Sequence, residues 1–288
     1  WARKLQSQGH DVRLMLPQFV KPYVKSNKND RADAQAICEA VSRPSMRFVA
    51  VKTCEQQAVL AVHRARQGFV KMRTALANQI RGLLSEFGIV MAQGLRVVLV
   101  QAGAVAADER VALPSPMRAL IGQLHQQLKQ LDAQVGQLEQ LIASSVQADS
   151  TERRLQQVPG IGPITSSAIV ATVGDATLFA NGRQLAAWLG LVPRQHASGG
   201  KEKLLGISKR GDGYVRTLLI HGARSLIQAN ERRRAAGKST DAWLDRLLSR
   251  RNANVAAVAL ANRNARILWA MLVKASDYRP EARMLAAA

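Results

Sequence analysis

Cysteine is nearly missing: Cys38 and Cys54 are the two in 288 residues. They form no CxxC pair and have no histidine at zinc-ligand spacing. That excludes a disulfide framework and a cysteine-based zinc site, and fits reduced thiols in a cytosolic protein. Aromatic residues make up only 4% of the chain, which argues against a single-strand binder built on base stacking. The five histidines are scattered and form no metal motif. Long apolar runs are missing too. The longest notable uncharged stretch, residues 158–174, is interrupted by Pro159, Pro163 and three glycines, so it is too short and too punctuated to span a bilayer.

Acidic residues are also scarce, with 20 Asp and Glu against 41 Lys and Arg. The resulting net charge of +21 and pI near 11.2 say nothing about fold, but they imply a polyanionic partner. The charge is dispersed among apolar residues that form 47% of the chain, so this is not a disordered basic tail. A chain of this length has room for about two domains with their own cores.

Residues 1–9 read as the end of a helix and 10–16 as a short strand, with Val12, Leu14 and Leu16 alternating before Pro17. Residues 28–41 turn helical, with Ile37 and Val41 at a four-residue step, and 47–51 is a second candidate strand. The alternation predicts the tail of an α/β domain. Residues 54–87 read as one long helix with Val59, Val62, Val70, Leu76, Ile80 and Leu83 inward and arginines distributed around it. Residues 95–111 are ambiguous. In 117–142 the residues Met117, Leu120, Leu124, Leu128, Leu131, Val135, Leu138 and Ile142 step by threes and fours. That is a coiled-coil or helical-hairpin stripe, and at under four heptads packing within the chain competes with dimerisation. Two short helices are predicted in 155–191 and longer ones over 212–228 and 254–274, with an exposed Arg-rich segment at 231–240. The second half therefore reads as all-helical.

Residues 197–216 carry the most chemistry. Ser198 precedes Gly199 and Gly200, where a bulky ligand can approach the backbone closely. Lys201, Lys203, Lys209, Arg210 and Arg216 follow, opposed only by Glu202 and Asp212. A serine in so positive a field suits a phosphodiester. The competing reading is a flexible Ser-Gly-Gly linker. No general base for Ser198 is evident; His196 is two residues away and reads as an ordinary loop histidine.

Two further constellations stand upstream. Val158-Pro159-Gly160-Ile161-Gly162 fits a helix-hairpin-helix turn, in which the glycines let the chain fold tightly and free N–H groups bond phosphate oxygens without reading bases. An ordinary interhelical turn has the same grammar. Asp30 and Asp33, three apart on a helix, place both carboxylates on one side. Such a pair can hold Mg²⁺ for phosphoryl transfer, or can be surface residues or caps.

With these residues in view the chain resembles the transposases of the insertion-sequence 110 family, particularly its 1111 branch. The resemblance runs almost end to end, through Trp1-Ala2-Arg3-Lys4-Leu5, Pro17-Gln18-Phe19-Val20-Lys21-Pro22-Tyr23, Asn27-Lys28-Asn29-Asp30, Val158-Pro159-Gly160-Ile161-Gly162-Pro163, Gly190-Leu191-Val192-Pro193-Arg194-Gln195, Ser198-Gly199-Gly200-Lys201 and Ile207-Ser208-Lys209-Arg210-Gly211-Asp212. It implies a RuvC-like (RNase H-like) domain with an Asp-Glu-Asp-Asp metal site, a coiled-coil connection and a helical transposase domain with a catalytic serine. It implies that Asp30 and Asp33 are the last two of the four carboxylates and that Ser198 is the serine. It further implies Mg²⁺ dependence, a serine–phosphodiester intermediate, an element-encoded guide RNA, and dimers or tetramers with composite active sites. The first Asp and the Glu would lie ahead of Trp1, so the chain is expected to be a fragment.

The expected architecture is α/β followed by all-α: 1–52 the remnant of a RuvC-like domain, 53–150 long helices with a coiled-coil segment, and 151–288 a helical domain with the helix-hairpin-helix turn and the serine loop. The expected function is DNA strand exchange at double-stranded element ends and targets. Ser198, Asp30 and Asp33 would be catalytic, and Gly160, Gly162, Lys201, Lys209, Arg210 and Arg216 would contact DNA. The expected location is the bacterial cytoplasm, at the nucleoid. The alternatives are a catalytically dead copy that only binds DNA or RNA, and a structure-specific nuclease, which would need the metal but no serine.

Overall fold

A computed structural model describes residues 1–25, 29–46 and 48–279, and the side chains of all of these except 201 and 202. It divides into two compact units, Trp1–Gln57 and Ala58–Ala288.

The first unit contains helix α1 (Ala2–Ser7), strand β1 (Leu14–Met15), helix α2 (Pro17–Val20), helix α3 (Asp30–Val41) and strand β2 (Phe48–Val49). The strands pair antiparallel, Leu14 opposite Val49 and Met15 opposite Phe48. Helix α3 starts at Asn29, whose side chain accepts from the Ala32 N–H at 2.7 Å. Its inward face is the stripe Ala32, Ala36 and Ala40. Ile37 is 49% exposed: the helix packs through its small residues, which let backbones approach closely. The expected residues Asn27, Lys28 and Arg47 lie outside the described residues.

The long helix α4 (Cys54–Ser85) leads into the second unit, with α5 (Leu95–Ala107) and α6 (Ser115–Ala148). Leu76, Ile80 and Leu84 of α4, Val98 and Ala102 of α5, and Ile121, Leu128 and Leu131 of α6 bury one another. Fully burying each large aliphatic side chain contributes about 1.5–3 kcal/mol. Arg66 bonds Glu139 at 2.5 Å and Arg73 bonds Asp132 at 2.6 Å. The partners step by seven in opposite directions, so α4 and α6 run antiparallel in heptad register. The apolar stripe of α6 is thus used within the chain, with one correction of phase: Ile121 is fully buried and Leu120 is 40% exposed.

Beyond α6 follow α7 (Ser150–Leu155), α8 (Pro163–Val173) and α9 (Gly182–Trp188), then strands β3 (Pro193–Ser198) and β4 (Lys201–Ile207), and helices α10 (Gly213–Ala235), α11 (Ala242–Leu248) and α12 (Ala253–Lys274). The expectation of an all-helical second half is therefore corrected, since an antiparallel β-hairpin interrupts it. Helix α8 is apolar or buried nearly all round and sits at the centre. Around it one core joins Leu155, Ile169, Leu185, Leu219, Leu260 and Leu268. Among the described residues no helix is long and apolar enough to cross a membrane.

The turn between α7 and α8 approaches α10 most closely where Gly160 meets Gly222, beside Leu226. A Cβ on Gly222 would lie 2.0 Å from the Gly160 carbonyl oxygen. Gly222→Ala should therefore destabilise by about 2 kcal/mol despite alanine's better helix propensity. Gly68→Ala, where nothing lies within 4 Å of the added carbon, should stabilise by about 0.5–1 kcal/mol. Urea unfolding of both variants checks the opposite signs.

Candidate functional site

Ser198 closes β3 at the tip of the hairpin, opposite Lys201 in the ladder. The two residues between them, Gly199 and Gly200, have φ of 56° and 77°. A two-residue hairpin turn with positive φ at both positions favours Gly-Gly, so these glycines have a turn-making reason apart from any ligand. Every residue of β3 is exposed. Strand alternation puts His196 on the same face as Ser198, and the ladder sets it opposite Lys203. Lys201 opens β4, and its side chain lies outside the described residues.

The base of the hairpin is fixed more firmly than its tip. The Ser208 N–H donates to the Val192 carbonyl at 2.8 Å and the Lys209 N–H to the Gly190 carbonyl at 3.2 Å. Lys209 holds a left-handed φ of 54°, and with Arg210 it is exposed. Arg216 donates to the carbonyls of Leu189 and Arg210, both at 3.0 Å, tying this loop to the end of α9. The Ser208 Oγ is buried without a hydrogen-bond partner. Of the two hydroxyls in the segment, only that of Ser198 faces solvent.

Gly160 has φ +84° and lies against α10. Gly162 is exposed, and its carbonyl accepts from the Thr165 and Ser166 N–H groups at 3.0 Å each. Asp30 and Asp33 both fall in the first turn of α3, Asp30 exposed and Asp33 half-buried. The helix dipole favours carboxylates there. Their hard oxygens also suit Mg²⁺, which is commonly held by one or two carboxylates plus waters and substrate phosphate. Among the described residues no group of three or more His, Cys, Asp or Glu gathers to hold a metal.

Profiles of known families match both ends of the chain. One described as "Transposase IS116/IS110/IS902 family" covers residues 152–238, and a DEDD profile described as "Transposase" covers 2–89. The "Probable family 20 transposase" of Pseudomonas aeruginosa is 54% identical, over 97% of this chain and 82% of its own. The chain belongs to the IS116/IS110/IS902 transposase family. The "Transposase for insertion sequence element IS1111A" of Coxiella burnetii is 48% identical over 97% of this chain and 76% of its own. That for IS1328 of Yersinia enterocolitica is 42% identical over 96% and 81%.

Sequence reasoning missed a buried polar chain behind the family's C-terminal segment. His63 of α4 is 1% exposed. Its Nδ1 lies 3.0 Å from the Tyr214 hydroxyl and its Nε2 3.3 Å from Ser167 Oγ. Arg66 stands near Tyr214 at one end, and the buried Glu152 stands near Ser167 at the other, its Oε2 without a hydrogen-bond partner. With the imidazole proton on Nε2, the Tyr214 hydroxyl donates to His63 Nδ1 and His63 Nε2 donates to Ser167 Oγ. Burial, with Arg66 nearby, lowers the His63 pKa to about 4. Burial and the neighbouring Asp149 push Glu152 up to about 7, against the pull of the Ser167 hydroxyl.

The two shifts act oppositely on stability. Glu152, raised when folded, favours the fold below pH 4.5, and that contribution is lost as pH rises toward 7. His63, lowered when folded, favours it above 6.5, and that contribution is lost as pH falls toward 4. Glu152→Gln mimics the protonated acid and removes only the first effect. Its stability relative to wild type should therefore rise with pH by about 1.4 kcal/mol per unit between pH 5 and 7. Denaturant midpoints across that range check the slope.

Proposed function

We propose that the chain acts in transposition of an insertion sequence by DNA strand exchange, with the Ser198 hydroxyl as nucleophile. The observation that carries this reading is the exposed hairpin tip above the Lys209–Arg210 base, in a chain of the transposase family. A serine hydroxyl needs positioning and activation. The ladder supplies the position, and the cationic base offsets charge that builds on the phosphoryl oxygens. A bond forms from Ser198 Oγ to phosphorus, the phosphorus–oxygen bond to the departing strand breaks, the serine proton leaves to solvent, and the departing oxygen takes a proton. Lys201, Lys209 and Arg210 are assigned to backbone contacts. Arg216, through its two carbonyl bonds, is assigned to holding the loop. Gly160 and Gly162 belong to a helix-hairpin-helix turn that brings α8's start toward phosphate.

Asp30 and Asp33 would hold Mg²⁺, which supplies charge neutralisation at the reacting phosphate. An element-encoded RNA is the second polyanionic partner, for which the charge of +21 is the support, and two or four copies assemble with shared sites.

The test is a nicked element-end duplex that traps covalent intermediates. In a protein that carries all four carboxylates of the metal site, the parent should give a protein–DNA adduct, Ser198→Ala none, and Ser208→Ala the adduct at modestly lower rate. Strand exchange without an adduct, or an adduct that persists in Ser198→Ala, overturns the serine mechanism. Asp30→Asn should abolish cleavage without changing thermal unfolding; retained cleavage assigns that carboxylate to the helix terminus.

A further inference from the structure

Helix α10 begins at the base of the hairpin and runs away from it for 23 residues, about 34 Å at 1.5 Å per residue. Thr217, His221, Arg224, Gln228 and Arg232 are all exposed and recur at steps of four, three, four and four, which makes one continuous stripe. Each side chain can donate a hydrogen bond. The helix contains a single carboxylate, Glu231, against Arg216, Arg224, Arg232, Arg233 and Arg234.

The far half of the stripe is widened by its neighbours. Arg224 donates to Asn254 at 3.0 Å, which sets the start of α12 beside the middle of α10. The Asp241 N–H donates to Asn230 at 2.9 Å, which sets α11 beside its end. The exposed Arg250 and Arg251 lie between these two anchors in sequence. Two acids of the same region are engaged, Asp245 accepting from Asn230, Arg234 and Thr240 and Asp241 capping α11, which leaves the exposed Glu231 against five arginines of the helix. Positive charge is left facing solvent.

We infer that this stripe, from Arg210 at the entry of α10 to Arg232 with Arg250 and Arg251 near its exit, tracks the phosphate backbone of duplex DNA flanking the reacting site. Thr217 to Arg232 covers about 22 Å at 1.5 Å per residue, and Arg210, ahead of the helix, extends the positive charge toward one turn of B-form DNA, about 34–36 Å. Phosphates one turn apart on the same face of the duplex meet positive charge at both ends of the helix. The contacts are to backbone and carry no base reading. The inference rests on the DNA reading above and adds to it a second contact point at a fixed distance from Ser198.

The test measures binding of the intact chain to 12- and 24-base-pair duplexes across a salt series, by fluorescence anisotropy. The variant combines Arg224→Gln, Arg232→Gln, Arg250→Gln and Arg251→Gln; a second variant carries Lys at all four positions. Wild type should gain affinity on the longer duplex beyond what the Gln variant gains. The Gln variant's salt dependence should be shallower by about 3.6 in log–log slope, from about 0.9 for each of four lost phosphate contacts, with the Lys variant close to wild type. Wild-type salt slope and length gain retained in the Gln variant overturn the inference and leave the DNA reading standing. Binding of a structured RNA hairpin at least tenfold tighter than duplex DNA, with the Gln variant's loss confined to RNA, also overturns it. If wild type binds no duplex at all, the functional reading falls as well.

Discussion

The imidazole of His63 is the constraint on which the second unit turns. It enters from α4 and finds partners 104 and 151 residues further along the chain, on α8 and α10. Sealing a neutral histidine among helices costs its hydration, and the Tyr214 and Ser167 bonds offset that cost only if all three helices keep their places. Tyr214 is the second residue of α10. Fixing it fixes the start of that helix, and Arg216, one residue further on than Val215, ties the same turn to the loop that bears Lys209 and Arg210. A buried bond thus reaches an exposed surface through three residues of one helix.

The unit has two faces with different rules. Inside, close approach decides: Gly160 against Gly222 leaves no room for a methyl group, and both ring nitrogens of His63 have a hydroxyl partner. Outside, the hairpin presents all of β3 to solvent. A two-stranded ribbon is marginal by itself, so its register depends on the Gly199–Gly200 turn at one end and the backbone bonds to Gly190 and Val192 at the other. Rigid support beneath an exposed hydroxyl is the arrangement that the proposed role of Ser198 needs.

Periodic features were legible in the sequence. The helix over 54–87, the α6 stripe and the starts of the helices at Asp212 and near 254 follow from apolar spacing and capping residues. The stripe's phase slipped by one residue at Leu120, because the neighbouring Ile121 is equally apolar and only the partner helices choose between them. The hairpin was not legible, since 193–207 shows little apolar alternation and Ser-Gly-Gly also describes a flexible loop. Ser198 was found as a residue, but its place at a strand end was not. His63 carried no signal at all: a lone histidine on an amphipathic helix declares its partners only after folding. Asp30 and Asp33 do share the first helical turn, where the dipole by itself gives both carboxylates a local reason to be.

The central claim is that nucleic acid is met by the hairpin and the outer stripe of α10, while the α4–α6 pair and the buried polar chain serve as support. Hydrogen–deuterium exchange of the intact chain with and without duplex DNA tests it most directly. The account predicts slowed exchange in 193–210 and in 217–232 on binding, with 121–148 unchanged. Protection concentrated in 121–148, with the hairpin exchanging as fast as in the free protein, would contradict it.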